Sequence, residues 1–121
     1  MSIDLTFPVP PFGLAGSDFV LTPVADAEGL FTLVGGTSRL FLLDAAVHLP
    51  SYAPVLSSAQ VEVLGLGSAE DAMLLVVANP AAEGTTVNLL APVVVNARTS
   101  VGAQLILEDQ DFPLRAELAR R

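Results

Sequence analysis

The chain has 121 residues, 52% of them hydrophobic and 15% charged, which fits one domain with a single core and excludes a disordered chain. Thirteen acids stand against five arginines and no lysine, for a formal net charge of −8, so the surface repels nucleic acid and lacks the basic patch that phosphate contacts need. Cysteine is absent, which removes disulfides and thiolate metal sites and makes a reducing cytoplasm the expected compartment.

The first residues, Met1-Ser-Ile-Asp-Leu-Thr6, have neither a basic start nor a continuous apolar run, so they are not read as a secretory signal. Apolar runs elsewhere reach about half the length of a spanning helix, and no membrane segment is expected. Val, Leu and Phe then dominate short segments punctuated by Pro and Gly. Strands are predicted at residues 19–24, 30–34, 39–47, 61–66, 73–78, 86–96 and 104–108. Breaks fall at 13–17, 26–29, 35–38, 67–71, 79–84 and 98–102. Short strands at this spacing argue for an all-β sandwich or barrel. Residues 52–60 are the weakest strand and have room for one irregular helical turn; residues 116–121 form either a frayed helical turn or a loose tail. Met73 to Ala78 is apolar on both faces, as is Leu40 to Leu43, so both read as central, doubly buried strands. No linker or internal repeat divides residues 1–121.

Residues 86–96 carry the strongest local signal. At period two, Val87, Leu89, Ala91, Val93 and Val95 form one apolar face. Asn88, Leu90, Pro92, Val94 and Asn96 form the other, with two amides and a proline that packing does not require. A hairpin closing over 98–102 sets Asn96 opposite Gln104, Val95 opposite Leu105, Val94 opposite Ile106 and Val93 opposite Leu107. A slip by one residue would place Val95 against an amide. Pro92 cannot donate to a ladder and should mark an edge or a bulge. Each amide also has a local reading: Asn96 capping the strand before a turn, Asn88 bonding a neighbouring backbone group.

Signals for catalysis are poor. His48 is the only histidine and reads as a strand-end residue before Pro50. Ser57 and Ser58 lie in no nucleophile-elbow motif. Gly35-Gly36 sits between two strands and precedes no helix, so a hairpin turn explains it better than a phosphate cradle. With one histidine, no cysteine and no Asp-x-Asp-x-Asp loop, neither a metal site nor a cofactor is expected. The acid pairs Glu70-Asp71 and Glu108-Asp109, with Asp111, read as exposed turn residues rather than a general acid and base. The last three extend an acidic patch beyond Gln104. Tyr52 either anchors a loop or presents an aromatic ring to a partner.

The block from Thr86 to Asn96, followed by Gly102-x-Gln104-x-Ile-Leu-x-Asp109 and Phe112-Pro-Leu-Arg115, resembles the family of the flagellar assembly factor FliW. Gly13-Leu-Ala-Gly16, Phe19-Val-Leu, Phe31-x-Leu33, Leu40-Phe-Leu42, Pro50-Ser-Tyr52 and Asp71-x-Met-Leu-Leu-Val-Val77 follow in the family's order, so the likeness spans about residues 7–118. Two positions depart: Val34-Gly35-Gly36 stands where the family often has Gln-Ser, which weakens any binding role at that turn, and Phe112 stands where tyrosine is common. The resemblance implies a small, single-domain β-barrel-like fold of mostly antiparallel strands with at most one or two short helical turns, and no enzymatic activity. It implies two protein partners, flagellin and the RNA-binding translational regulator CsrA, exchanged by partner switching, with no direct nucleic-acid or membrane contact. Tyr52, Asn88, Pro92, Asn96, Gln104, Glu108, Asp109 and Asp111 are the expected contact residues. The second reading, a small-molecule-binding barrel, requires an enclosed apolar cavity.

Overall fold

The computed structural model describes residues 2–7, 18–35, 38–49, 52, 54–67, 71–81, 84–107, 110–112 and 116–117. They form strands β1 (Ile3–Thr6), β2 (Asp18–Pro23), β3 (Leu30–Gly35) and β4 (Ser38–Asp44), helices α1 (Ala45–His48) and α2 (Ser58–Leu64), then β5 (Ala72–Ala81), β6 (Gly84–Asn96), β7 (Val101–Gln104) and β8 (Ala116–Glu117). Hydrogen bonding runs β5-β4-β3-β2-β1-β7-β6 and returns from β6 to β5, so seven strands close into a barrel and β8 lies on the outer edge of β6. Closure removes most of the exposed sheet edges that an open sheet of this composition would present, and β8 covers the edge of β6 at Thr86 and Val87. All described pairings are antiparallel except β1 with β7, which meet in parallel at Thr6 and Val101.

The barrel interior is filled by side chains. Leu5, Phe7, Phe19, Leu21, Leu33, Leu42, Leu75, Val93 and Val95 form one buried cluster. Phe7 and Phe19 meet edge to face with ring centroids 5.2 Å apart. Two glycines make room for them: a Cβ on Gly35 would lie 2.3 Å from the Phe19 ring, and one on Gly102 would lie 2.8 Å from the Phe7 ring. Gly35 thus has a packing reason as well as its place at the end of β3, which pairs with β4 through Gly35 and Ser38.

Two smaller clusters lie outside the barrel wall. Leu43, Val76, Ala78 and Val87 are covered by Leu49, Tyr52 and Leu89; Leu64, Val94 and Leu105 are covered by Leu56 and Leu66. This explains the two-sided apolar pattern of residues 73–78. Leu75 joins the barrel core, Val76 and Ala78 join the first outer cluster, and Leu74 packs against the second.

Several sequence expectations are corrected. Within the strand predicted at 61–66, residues 61–64 are helical, not extended. Ser57 caps α2, its hydroxyl accepting from Gln60 N at 3.1 Å while Gln60 Oε1 accepts from Ser57 N at 2.8 Å, and Gly65 ends the helix at φ 64°. The strand predicted at 39–47 stops at Asp44, whose carboxylate accepts from Ala46 N and turns the chain into α1; His48 therefore ends a helix, with Nε2 bonded to the Glu28 carbonyl at 2.8 Å. The β6–β7 register differs by three residues. Asn96 faces Val101 and Val93 faces Gln104, because the turn spans residues 97–100 with Ser100 in the left-handed region at φ 62°. The 104–108 strand accordingly starts earlier, at Val101, although its backbone stays bonded to β6 through Leu105 and Leu107. Strand β1 had no counterpart in the sequence reading, and Ala116–Glu117 pair as a strand where a frayed turn or loose tail was expected.

Candidate functional site

The polar residues of β6 surround an irregularity in that strand. Leu75 faces Val93 and Val77 faces Asn88, so Leu89, Leu90, Ala91 and Pro92 stand opposite Val76 alone. Pro92 thus marks a bulge, as its missing N–H dictates, and it is buried within it.

Buried backbone groups in a bulge lose their ladder partners and need others. Asn88 Oδ1 accepts from both Leu90 N and Ala91 N at 3.1 Å. Gln104 Nε2 donates to the Ala91 carbonyl at 3.1 Å, and the Tyr52 hydroxyl donates to the Leu89 carbonyl. Leu107 N and Leu105 N donate to the carbonyls of Leu90 and Pro92, each at 2.9 Å. Three side chains from three segments therefore hold one bulge. Burial pushes the Tyr52 hydroxyl up to about 12, so it stays protonated as a donor.

Asn96 does different work. It is 1% exposed, lying under the end of α2. Its Nδ2 donates to the carbonyls of Leu64 at 2.8 Å and Gly65 at 3.2 Å, and its Oδ1 accepts from Arg98 N at 2.9 Å. One side chain closes the turn after β6 and satisfies the carbonyls at the helix end.

The continuous polar patch expected on β6 and β7 is therefore not formed as a surface. The bulge breaks the period-two pattern, so Val93 and Val95 point into the barrel while Val87 joins an outer cluster. Pro92 and Asn96 are buried, and Asn88, Gln104 and Tyr52 are partly buried and bonded to backbone. Asp111 is exposed; Glu108 and Asp109 lie outside the described residues.

The accessible surface is acidic. Asp4, Asp18, Asp26, Glu28, Glu62, Asp111 and Glu117 are exposed. Both described arginines have neighbours: Arg98 lies 3.8 Å from Asp71, and Arg39 sits 5.2 Å over the Phe41 ring. Among the described residues, two open grooves are found on this surface. One, of about 480 Å³, runs between α1 and β5 past Asp44, Leu49, Tyr52 and Met73; the other, of about 580 Å³, follows α2 past Leu56, Val61 and Glu62. Among the described residues no cluster of three His, Cys, Asp or Glu side chains is placed to hold a metal ion, and no helix is long and apolar enough to cross a membrane.

The family model for the FliW protein matches residues 2–118. The flagellar assembly factor FliW of Desulfitobacterium hafniense is 34% identical over 89% of this chain and 77% of its own length. That of Syntrophus aciditrophicus is 32% identical over 74% of this chain, which spans 58% of the Syntrophus protein. A crystal structure of the flagellar assembly factor FliW superposes with a TM-score of 0.78 over 87% of this chain and 77% of that one, at 24% identity, which bears on the fold.

Proposed function

The chain belongs to the FliW family of flagellar assembly factors, and we propose that it works in the cytoplasm as a non-enzymatic binder of flagellin and an antagonist of the translational regulator CsrA. Flagellin occupies the factor while filaments are not growing. Export of flagellin frees the factor, which then engages CsrA and lifts repression of flagellin translation.

The observation that carries this reading is the family match across residues 2–118. The charge distribution supports it. An RNA-binding regulator must carry basic surface, and this chain presents exposed acids while its described arginines have an acid or a ring beside them. The filled barrel interior supports a protein partner over an enclosed small ligand. Of the residues expected to make contact, Asp111 is the one the described surface offers, with Glu108 and Asp109 its neighbours in sequence.

The test is direct binding of the purified chain to flagellin and to CsrA, with Asp109→Lys/Asp111→Lys beside it. The expected result is binding of both partners, with slower association of the variant with CsrA at low salt and a flatter salt dependence. Binding of neither partner refutes the reading. Unchanged association of the variant removes Asp109 and Asp111 from it.

A further inference from the structure

Strand β8 is two residues long and holds β6 through two register positions, Thr86 with Glu117 and Val87 with Ala116. Ala116 packs inward against the cluster of Val76, Ala78 and Val87. The chain before it is fastened at two more points. The Gln110 side chain accepts from Val55 N and donates to Val55 O, both at 2.8 Å, in an exposed setting where water competes. The Phe112 ring meets Tyr52 edge-on with centroids 5.0 Å apart. Tyr52 itself is tied separately to Leu89. Closure of the barrel runs through β5, β6, β7 and β1 and uses none of these anchors.

We propose that β8 is a displaceable edge strand and that the β6 edge at Thr86 and Val87 receives an extended peptide in its place. β8 shows what chemistry the edge accepts. The backbone is extended, a small apolar side chain points inward beside Val87, and the next side chain, at Glu117, is exposed. A carboxylate at that outer position adds to a chain of net charge −8. A lysine or arginine at the same place in an incoming strand is attracted instead. The occupant is therefore an extended, basic segment with a small apolar residue beside its cation, bound by strand addition. This goes beyond the flagellar reading and does not rest on it.

The probe is a synthetic peptide of residues 110–117 carrying Glu117→Lys, labelled and titrated against the full chain by fluorescence anisotropy. Gln110→Ala/Phe112→Ala removes two anchors of β8 and leaves the edge intact. It raises the population with a free edge, so the apparent affinity of the probe rises by about tenfold. Val87→Cys/Ala116→Cys bridges the directly opposed pair in a chain with no other cysteine. Oxidation of that variant abolishes probe binding and reduction restores it. The peptide retaining Glu117 binds less well than the probe, by a margin that shrinks with salt. Equal binding to the oxidised and reduced forms overturns the proposal, and so does a loosened variant with no gain in affinity.

Discussion

Asn96 offers the sharpest test of how this barrel is held. It is 1% exposed, makes three hydrogen bonds and joins β6, the following turn and the end of α2. Asn96→Ala leaves the Leu64 carbonyl buried without that donor, which costs about 1–3 kcal/mol for one orphaned group. The Gly65 carbonyl and Arg98 N lie nearer the surface and recover part of their bonding from water, and the lost carboxamide leaves a small void. The expected total is about 2–4 kcal/mol, a large share of the roughly 5–15 kcal/mol that stabilises a domain of this kind. Asn96→Asp separates hydrogen bonding from volume. The side chain keeps its size and its acceptor for Arg98 N, but turns a carboxylate toward two carbonyl oxygens. It should therefore be less stable than Asn96→Ala at neutral pH and recover part of the loss in acid, where the new carboxyl protonates. Urea unfolding followed by circular dichroism measures all three proteins. A loss below about 1 kcal/mol for Asn96→Ala, or wild-type stability for Asn96→Asp at neutral pH, refutes the reasoning.

Other substitutions address separate parts of the fold. Tyr52 is the one tyrosine in a chain without tryptophan, so ultraviolet phenolate absorbance reports it alone; the folded protein should titrate near 12, against about 10 in denaturant. Because its folded pKa is raised, the stability this group contributes is fully present below the unfolded value and is lost as pH rises through the folded one; a native midpoint at the unfolded value would contradict its burial. Gly35→Ala drives a Cβ to 2.3 Å from the Phe19 ring and should cost about 1–3 kcal/mol by thermal melting, with the loss reduced in a Phe19→Leu background. Ser57→Ala removes the α2 capping box and should cost about 1 kcal/mol, measured by urea unfolding.

Much of the strand pattern is legible in the sequence because one apolar face per strand must be buried. Residues 19–24, 30–34 and 73–78 correspond to β2, β3 and β5 for that reason. Helix α2 illustrates the converse. Val61, Val63 and Leu64 read as a strand by β-propensity, yet Ser57-x-x-Gln60 before them is a capping box and Gly65 after them is a helix stop. Those two local signals outweigh three residues of propensity, and they were present in the sequence. The β6–β7 register was not recoverable in the same way. A hairpin over 98–102 needs a five-residue loop, whereas Ser100 takes a left-handed conformation that closes the turn after four residues. The strand β1 pairs Leu5 with Phe19, but four residues with two charged or hydroxyl side chains give too short an alternation to stand out.

The polar face of β6 shows why an unusual strand residue is an ambiguous sign of a binding site. An amide in a strand can meet a partner, or it can satisfy backbone that the ladder has abandoned. The energetics favour the second wherever a bulge is buried, since each orphaned backbone group there costs about 1–3 kcal/mol. Between Asn88 and Val93 the N–H groups of Leu90 and Ala91 and the carbonyls of Leu89, Leu90, Ala91 and Pro92 each have a partner. Removing any one of Asn88, Gln104 or Tyr52 would leave at least one unmatched. The bulge lies on the β5 side of β6, and across it the strand's packing passes from the outer cluster at Val87 to the barrel core at Val93 and Val95. The later half of β6 pairs with β7 inside the barrel, and its earlier half pairs with β8 on the outside. The amides of Asn88 and Gln104 thus hold the bulge across which a single strand packs first an outer cluster and then the barrel core.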